Sequence, residues 1–473
     1  MSFVEPVFLL LLGFTLAVYW TVQSLRLRID TLLAASIIFY GWWDSRFLLL
    51  LGFVIVTSWA CALLASNHER GTSGRRAWTL VGCVTNLLVL VMFKYLGFFA
   101  DSTATALSQL GLQPSWPVVH LIVPLGVSFF ILQAISYLID VSREDVGAER
   151  ELRRVAFYIG FFPQLAAGPI VRAKHFLPQM NREKRLTQQL FMAGARAVLL
   201  GFIYKAGIAD PLSQVADPVF GGGGVGPSDL AAWSNWALVG ATVAFGGQVY
   251  FDFAGYSLMA VGVARWFGYL IPRNFDYPYA SLSIDEFWRR WHMSLSAWLR
   301  DYVYIPLGGS QGTISITLRN VMITVLLGAL WHGAAWTFVA WGVLHGLALC
   351  LHRIVFRRGN QMLPGIVGLL STQGFVLMAW VLFRAESPGD AITIWQAFAG
   401  LREGGAAGVS WTVWCVPLLV ALDARLGRSQ STARGRRRLT RSPLVYWSGL
   451  GALTALAISF YPLEPLPFVY FQF

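Results

Sequence analysis

Two histidines are the residues of this chain best placed to do chemistry, His332 and His292. His332 stands between two apolar runs, Ile314 to Leu330 and Gly333 to Leu351, each long enough to reach through most of a bilayer. An ionisable residue in that setting is a functional candidate by default. Imidazole ordinarily titrates near about 6.5, so it takes up and returns a proton around neutral pH, the work of a general base. The competing reading of His332 is a buried histidine that holds two helices together by hydrogen bonds. His292 lies in SIDEFWRRWHMSLSAWLRDYVYIPLGG. A second acid/base role, orientation of an acceptor and a purely structural place are all open to it.

The elements that must position these histidines follow from periodicity. At about 100° per residue, Ile284, Phe287, Trp291, Leu295, Trp298, Leu299 and Tyr302 share one side of a helix, while Glu286, Arg289, Arg290, Arg300 and Asp301 share the other. His292 sits at the edge of the aromatic side. The pattern predicts one amphipathic helix lying along a membrane boundary. Arg289, Arg290 and Arg300 could attract a phosphate-bearing donor, although such arginines are more often simply solvated or bound to lipid headgroups. Asp252, inside QVYFDFAGYSLMAVG, is an acid at apparent membrane depth and is expected to be paired or neutral, with a tunnel role and a structural hydrogen bond both open. Gln248 in the same stretch and Trp331 beside His332 join Asp252, Arg289 and Arg290 as candidate substrate or donor contacts. His345 and His352 share a helix face but have no neighbouring carboxylate, so no metal is expected.

Two pattern matches carry no chemistry. Gly308, Ser310 and Gly312 satisfy a hydrolase G-x-S-x-G string, yet they follow a helix rather than a strand, which predicts a turn. Gly221, Gly223 and Gly226 satisfy G-x-G-x-x-G within a glycine run that no strand precedes.

Composition sets the class. Hydrophobic residues make up 56% of the 473, charged residues 13%, and mean hydropathy is +0.58, more apolar surface than a water-soluble core hides easily. This predicts an all-α polytopic membrane protein. The net charge of +12 is spread in short clusters between apolar runs, a pattern of membrane orientation rather than nucleic-acid binding. Cys61, Cys83, Cys350 and Cys415 all fall in apolar runs, so free thiols are expected.

The predicted spans are Val7 to Val22, Thr31 to Trp43, Phe47 to Ala65, Trp78 to Phe99, Val118 to Ile139, Leu190 to Ala209 and Leu230 to Leu270, the last unbroken or broken near Gly255. Beyond the runs flanking His332 come Pro364 to Phe383, Trp411 to Leu422 and Val445 to Phe460, about a dozen passes in all. FYIGFFPQLAAGPIVR, interrupted by Pro163, Gly168 and Pro169, predicts a re-entrant or broken segment. Asp101 to Pro117 and Asp210 to Asp229 contain no Lys or Arg and read as outer loops, whereas Arg425 to Arg441 carries seven Arg and reads as an inner one. The alternation puts basic loops in the cytoplasm and both termini outside a cytoplasmic (inner) membrane.

QVYFDFAGYSLMAVG, NFDYPYASLSIDEFWRRWHMSLSAWLRDYVYIPLGG and LWHGAAWTFVAWGVLHG resemble the membrane-bound O-acyltransferase (MBOAT) family, and within it the alginate O-acetyltransferase-like branch. SFFILQAISYLIDV, FFPQLAAGPIVR, WVLFRAES and the terminal YFQF are similar to the same branch. The resemblance implies one membrane-embedded domain over 1–473, with a family core at about 118–352 and C-terminal spans at 364–460. It implies a ring of tilted helices around a thin centre, with His332 as the family's histidine and His292 as its second motif histidine. The implied activity moves an acyl group, acetyl in the first instance, from cytoplasmic acetyl-CoA to an extracytoplasmic polysaccharide or a periplasmic or surface esterase-like partner, with membrane lipids around the chain and no bound cofactor. Two alternatives remain: a D-alanyl transferase to a teichoic-acid-like polymer using an acyl-carrier donor, and a proton-coupled transporter or polymer exporter. No paired halves of the kind transporters carry are visible.

Overall fold

The computed structural model describes residues 1–112, 121–165, 168–221, 229–356, 365–431, 443–461, 466 and 468–469. Among the described residues the regular structure is helical, with no strand beyond an isolated bridge between Trp233 and Ala407. Among the described residues, seven helices are long and apolar enough to cross a membrane: Phe47–Ser66, Ser73–Gln109, Gln188–Phe220, Asn235–Trp266, Ile314–His332, Trp336–Val355 and Gly365–Arg384. Pro6–Thr21 and Leu444–Ser459 are apolar but shorter. The chain is therefore a multi-pass membrane protein, with fewer full-length spans among the described residues than the dozen passes predicted.

The shortfall has local causes. The span predicted at Thr31 to Trp43 belongs to the helix Leu25–Gly41, whose first turns carry Arg26, Arg28 and Asp30. Of the span predicted from Val118, residues 118–120 lie outside the described residues, and 121–126 lead through Pro124 into a helix that starts at Val127 and runs to Arg143. Trp411–Cys415 forms a 3₁₀ turn, and Pro417 in the first turn of the helix Val416–Ser431 marks where the α-helix starts. That helix carries the first part of the predicted basic inner loop, and 432–442 lie outside the described residues.

Two compact units divide the chain, Met1–Arg196 with Ala260–Pro272, and Ala197–Met259 with Arg273–Phe473. In the first, Arg46–Ser66 and Ser73–Leu90 pack against Val127–Arg143, a helix buried along nearly its whole length. The interrupted segment is broken as predicted: Leu152–Gly160 is helical, Phe161 is extended, and Phe162–Leu165 makes a single turn. Its irregular backbone is satisfied from inside the protein. Gln164 Nε2 donates to Tyr158 O at 2.6 Å, Tyr158 Oη donates to Val171 O at 2.9 Å, and Phe162 N donates to Ser36 Oγ at 3.1 Å.

The second unit is built on Asn235–Trp266, whose residues through Met259 belong to it. This helix is continuous through Gly255, with 89% of its most apolar window buried. Gly255 and Gly201 let two backbones cross closely, since a Cβ on Gly255 would lie 2.7 Å from Gly201 O. Of the outer loop predicted from Asp210 to Asp229, the part through Phe220 is instead helix, because the chain passes through a π turn at Ile203–Ala209 and continues as Asp210–Phe220, while 222–228 lie outside the described residues. Ile314–His332 and Trp336–Val355 pack as an antiparallel hairpin, and Gly365–Arg384 packs on the second of them.

Candidate active site

The amphipathic helix predicted from Ile284 through Tyr302 is not one helix. It runs Ile284–Arg290, breaks at Trp291 and His292, resumes as Met293–Leu299, and closes in a π turn at Arg300–Tyr304. The break is held by the segment ahead of it. Met293 N donates to Asn274 O at 2.8 Å and Asp276 N donates to Arg290 O at 3.0 Å, so a short backbone pairing competes with the helical ladder. Ser294 Oγ adds a bond to Asn274 Oδ1 at 2.6 Å. His292 consequently adopts φ 42° and ψ 54°, a left-handed conformation that a residue with a Cβ takes only when its surroundings impose it.

The break redirects the side chain. His292 is fully buried rather than placed at a membrane boundary. The aromatic face serves as protein core: Phe287 and Trp291 stack with ring centres 5.5 Å apart, and Trp291 also meets Phe275 and Trp380, each at 5.0 Å.

His332 ends its helix, where Gly333 turns to extended backbone. The His292 and His332 rings are 6.2 Å apart between centroids, and Trp331 touches both, at 5.6 and 5.0 Å. Phe253 lies 4.7 Å from His292, while Trp341 and Phe383 lie 5.5 and 5.4 Å from His332. The predicted pair and Trp331 are thus brought together from two separate stretches of chain, in a setting that excludes bulk water. Two imidazoles this close could serve as a base and an orienting donor to the same small substrate group.

A line of rings leads away from this pair. Trp341 is 4.6 Å from His345, and His345 Nδ1 accepts a hydrogen bond from Trp288 Nε1 at 3.2 Å. Trp288 in turn walls a cavity of about 510 Å³ that Asp285, Arg289, Arg300, His352 and Arg353 also line. Arg289 therefore reaches the cavity while pairing with Asp285 at 2.7 Å. Arg290 pairs with Glu286 at 2.5 Å, whose other oxygen accepts from Leu282 N at 2.8 Å, a capping role.

Asp252 belongs to a buried ion cluster. Lys205 Nζ lies 2.7 Å from Asp210 and 3.0 Å from Asp252, with all three side chains at most 3% exposed. Lys205 and Asp210 are one π turn apart, so the i to i+5 geometry of Ile203–Ala209 sets them on one side. Asp252 also accepts from Val469 N at 2.7 Å, and the adjacent Phe468 packs on Phe253 at 5.5 Å and on Tyr256 at 5.0 Å. Gln248, one turn before Asp252, is buried, and its Oε1 has no hydrogen-bond partner among the described residues.

Asn274, Lys205, Asp210, Trp288 and His345 are the residues that sequence reasoning missed as parts of this centre. Lys205 was visible as a lysine within an apolar run, and His345 had been weighed only as a metal ligand. Asn274 gave no signal of its own. The glycine string around Ser310 is a turn as predicted, with Gly308, Gly309 and Gly312 at positive φ. The string at Gly223 and Gly226 lies outside the described residues.

With this geometry in place, comparison with known proteins is informative. The membrane-bound O-acyltransferase family profile matches residues 150–386. The chain is 40% identical over 416 residues to the probable alginate O-acetylase AlgI of Azotobacter vinelandii, covering 87% of this chain and 79% of that protein. It is 40% identical over 401 residues to the corresponding Pseudomonas aeruginosa protein, covering 84% and 74%. It is 34% identical over 400 residues to the peptidoglycan O-acetyltransferase of Helicobacter pylori, covering 78% and 73%. An all-helical multi-pass chain with these matches belongs to the membrane-bound O-acyltransferase family and is an O-acyltransferase.

Proposed function

We propose that this enzyme takes an acetyl group from acetyl-CoA on the cytoplasmic side of the inner membrane and delivers it to an extracytoplasmic polysaccharide, directly or through a periplasmic or surface esterase-like partner. The observation that carries the reading is the buried His292 and His332 pair, with the ring line from His332 to the arginine-lined cavity beside Trp288. The names of the relatives support a carbohydrate polymer as acceptor, since one is an alginate O-acetylase and another a peptidoglycan O-acetyltransferase. The basic segments support a cytoplasmic donor side with both termini outside.

His332 acts as the base. It takes the proton of the acceptor hydroxyl as that oxygen bonds to the thioester carbonyl carbon, the C–S bond breaks, and the proton passes to the departing thiolate. His292, pinned by Asn274, orients the acceptor or steadies the carbonyl oxygen as charge develops on it. Arg289, Arg300 and Arg353 at the cavity suit the phosphates of the donor, and Trp331 packs against both reacting imidazoles. Gln248, with its buried acceptor oxygen, is a further substrate contact, and Asp252 fixes the helix that carries it.

The test is ester-linked acetyl on the host's secreted or surface polysaccharide, compared between wild type and His332→Ala at equal membrane abundance. Loss of acetyl with unchanged polymer yield is the expected result. Unchanged acetylation with lost polymer would favour an exporter, and a change confined to D-alanine esters would favour D-alanyl transfer.

A further inference from the structure

A second cavity, of about 580 Å³, lies in the first unit, and neither His292 nor His332 lines it. Lys174, Arg182, Lys184 and Arg185 line it together with a single carboxylate, Glu183, leaving an excess of three positive charges (four cations less one anion). Glu183 is already engaged, 3.3 Å from Arg185. Among the described residues, Lys174, Arg182 and Lys184 have no carboxylate partner.

Lys184 is the telling member, because it is only 8% exposed. Its ammonium sits 4.4 Å from the centre of the Tyr269 ring, and its stem crosses Gly268, where a Cβ would stand 3.0 Å from Lys184 Cδ. Gly268 has φ +79°, so a side chain there would be strained and would crowd the lysine stem.

The walls are fixed. Gln179 bonds both the N–H and the carbonyl of Leu270, at 2.8 and 3.0 Å. Arg28 donates to Lys184 O at 3.1 Å, Tyr19 Oη donates to Phe267 O at 2.9 Å, and Trp20 Nε1 donates to Trp266 O at 3.2 Å. A nearly buried ammonium held by fixed walls, facing an open volume and lacking an anion, is a costly arrangement unless an anion fills it. Burial together with the neighbouring Arg182 pushes the Lys184 ammonium down to about 8, the direction expected for a cation waiting for its counter-charge.

We infer that this cavity is a binding site for a phosphate group, with Lys184 and Arg182 as its principal contacts. The two sources of that chemistry are the headgroup of an anionic phospholipid and a soluble phosphate such as inorganic phosphate or the phosphates of coenzyme A. The cavity lies beside the start of the Gln188–Phe220 helix and the end of the Asn235–Trp266 helix, where basic pockets commonly meet lipid headgroups. With a lipid headgroup or inorganic phosphate as occupant the inference stands independently of the acetyl-transfer reading; with coenzyme A as occupant it rests on that reading and adds a second phosphate contact to the one at Arg289, Arg300 and Arg353.

The experiment uses the full chain in detergent, titrated with short-chain phosphatidylglycerol, short-chain phosphatidylcholine, inorganic phosphate and coenzyme A, with bound species counted by native mass spectrometry. Phosphatidylglycerol or a soluble phosphate is expected to bind, with phosphatidylcholine at least about tenfold weaker. Arg182→Gln, at an exposed position that leaves the packing intact, is expected to weaken that binding about fivefold, and Lys184→Met with Arg182→Gln about 25-fold. Phosphatidylglycerol binding that neither inorganic phosphate nor coenzyme A displaces identifies the lipid as the source; displacement by either identifies the soluble phosphate. Equal affinity for phosphatidylcholine and phosphatidylglycerol without phosphate binding, or anion binding unchanged in Arg182→Gln and in the double variant, overturns the inference.

Discussion

Lys205→Met is the most demanding test of the ion cluster. Methionine keeps an unbranched stem of similar volume and deletes only the ammonium, which lies 2.7 Å from Asp210 and 3.0 Å from Asp252. Removing one partner of a buried charge cluster costs about 3–5 kcal/mol, because the charges left behind are neither hydrated nor paired. Here two carboxylates are left facing each other, and only Asp252 keeps another donor, Val469 N at 2.7 Å. The loss should therefore fall at the upper end of that range, a large share of a total stability of about 5–15 kcal/mol. Asp210→Asn leaves one ammonium on one carboxylate and should cost about 1 kcal/mol. The triple change Lys205→Met, Asp210→Asn, Asp252→Asn removes every charge and should recover most of what Lys205→Met loses. Denaturant unfolding in mixed micelles, followed by tryptophan fluorescence, gives all three values. A Lys205→Met protein within 1 kcal/mol of wild type, or a triple variant no more stable than Lys205→Met, would refute the reasoning.

Three further outcomes follow from the geometry. Asn274→Ala removes the acceptor for Ser294 Oγ and loosens the left-handed turn at His292, so kcat for acetyl transfer should fall about tenfold with KM little changed, and Asn274→Asp, which keeps the acceptor oxygen, should restore most of it. Gly255→Val drives a side chain into the carbonyl of Gly201 and should lower stability by about 1–3 kcal/mol, read as lower membrane abundance and a lower unfolding midpoint. Phosphatidylglycerol binding at Lys184 should be flat below pH about 8 and weaken above it, because the phosphodiester keeps its charge while the folded-state ammonium titrates there and its unfolded counterpart holds its proton to about 10.5. By the same sign, the penalty for burying that charge is fully present below about 8 and is relieved as pH rises toward 10.5; titrations at two pH values on either side of 8 check the first statement, and unfolding in the absence of phosphate checks the second.

The membrane class, the helical fold and the broken segment at Pro163 were readable from composition and from residues that only one environment tolerates. His332 and His292 were each singled out by their motifs, but nothing in the sequence showed that their rings lie 6.2 Å apart. What periodicity missed were the interruptions to helical phase. The heptad-like aromatic stripe from Ile284 to Tyr302 gives no sign that Asn274, on a separate loop, captures the N–H of Met293 and turns His292 inward. The π turn at Ile203–Ala209 is equally hidden, because one extra residue per turn leaves hydropathy unchanged while it re-aims Lys205. Asp210 read as the start of a polar outer loop on charge rules that count Lys and Arg and ignore an aspartate already matched by a buried lysine. These are tertiary hydrogen bonds and ion pairs, and they are specified by residues distant in sequence or by a change of register.

The bond from Val469 to Asp252 also orders events in time. The two residues are separated by 217 positions, so at a synthesis rate of about 5–20 residues per second Asp252 is made some tens of seconds before its last donor. During that interval the Asn235–Trp266 helix already sits in the membrane with its carboxylate held by Lys205 alone. Biogenesis therefore has a late docking step, in which Phe468 and Val469 settle against Phe253 and Tyr256 after the preceding helices are inserted. A nascent chain stalled after the Gly365–Arg384 helix should be inserted yet remain more open around residue 253 than the released chain, both to protease and to a thiol-reactive probe at a cysteine introduced there.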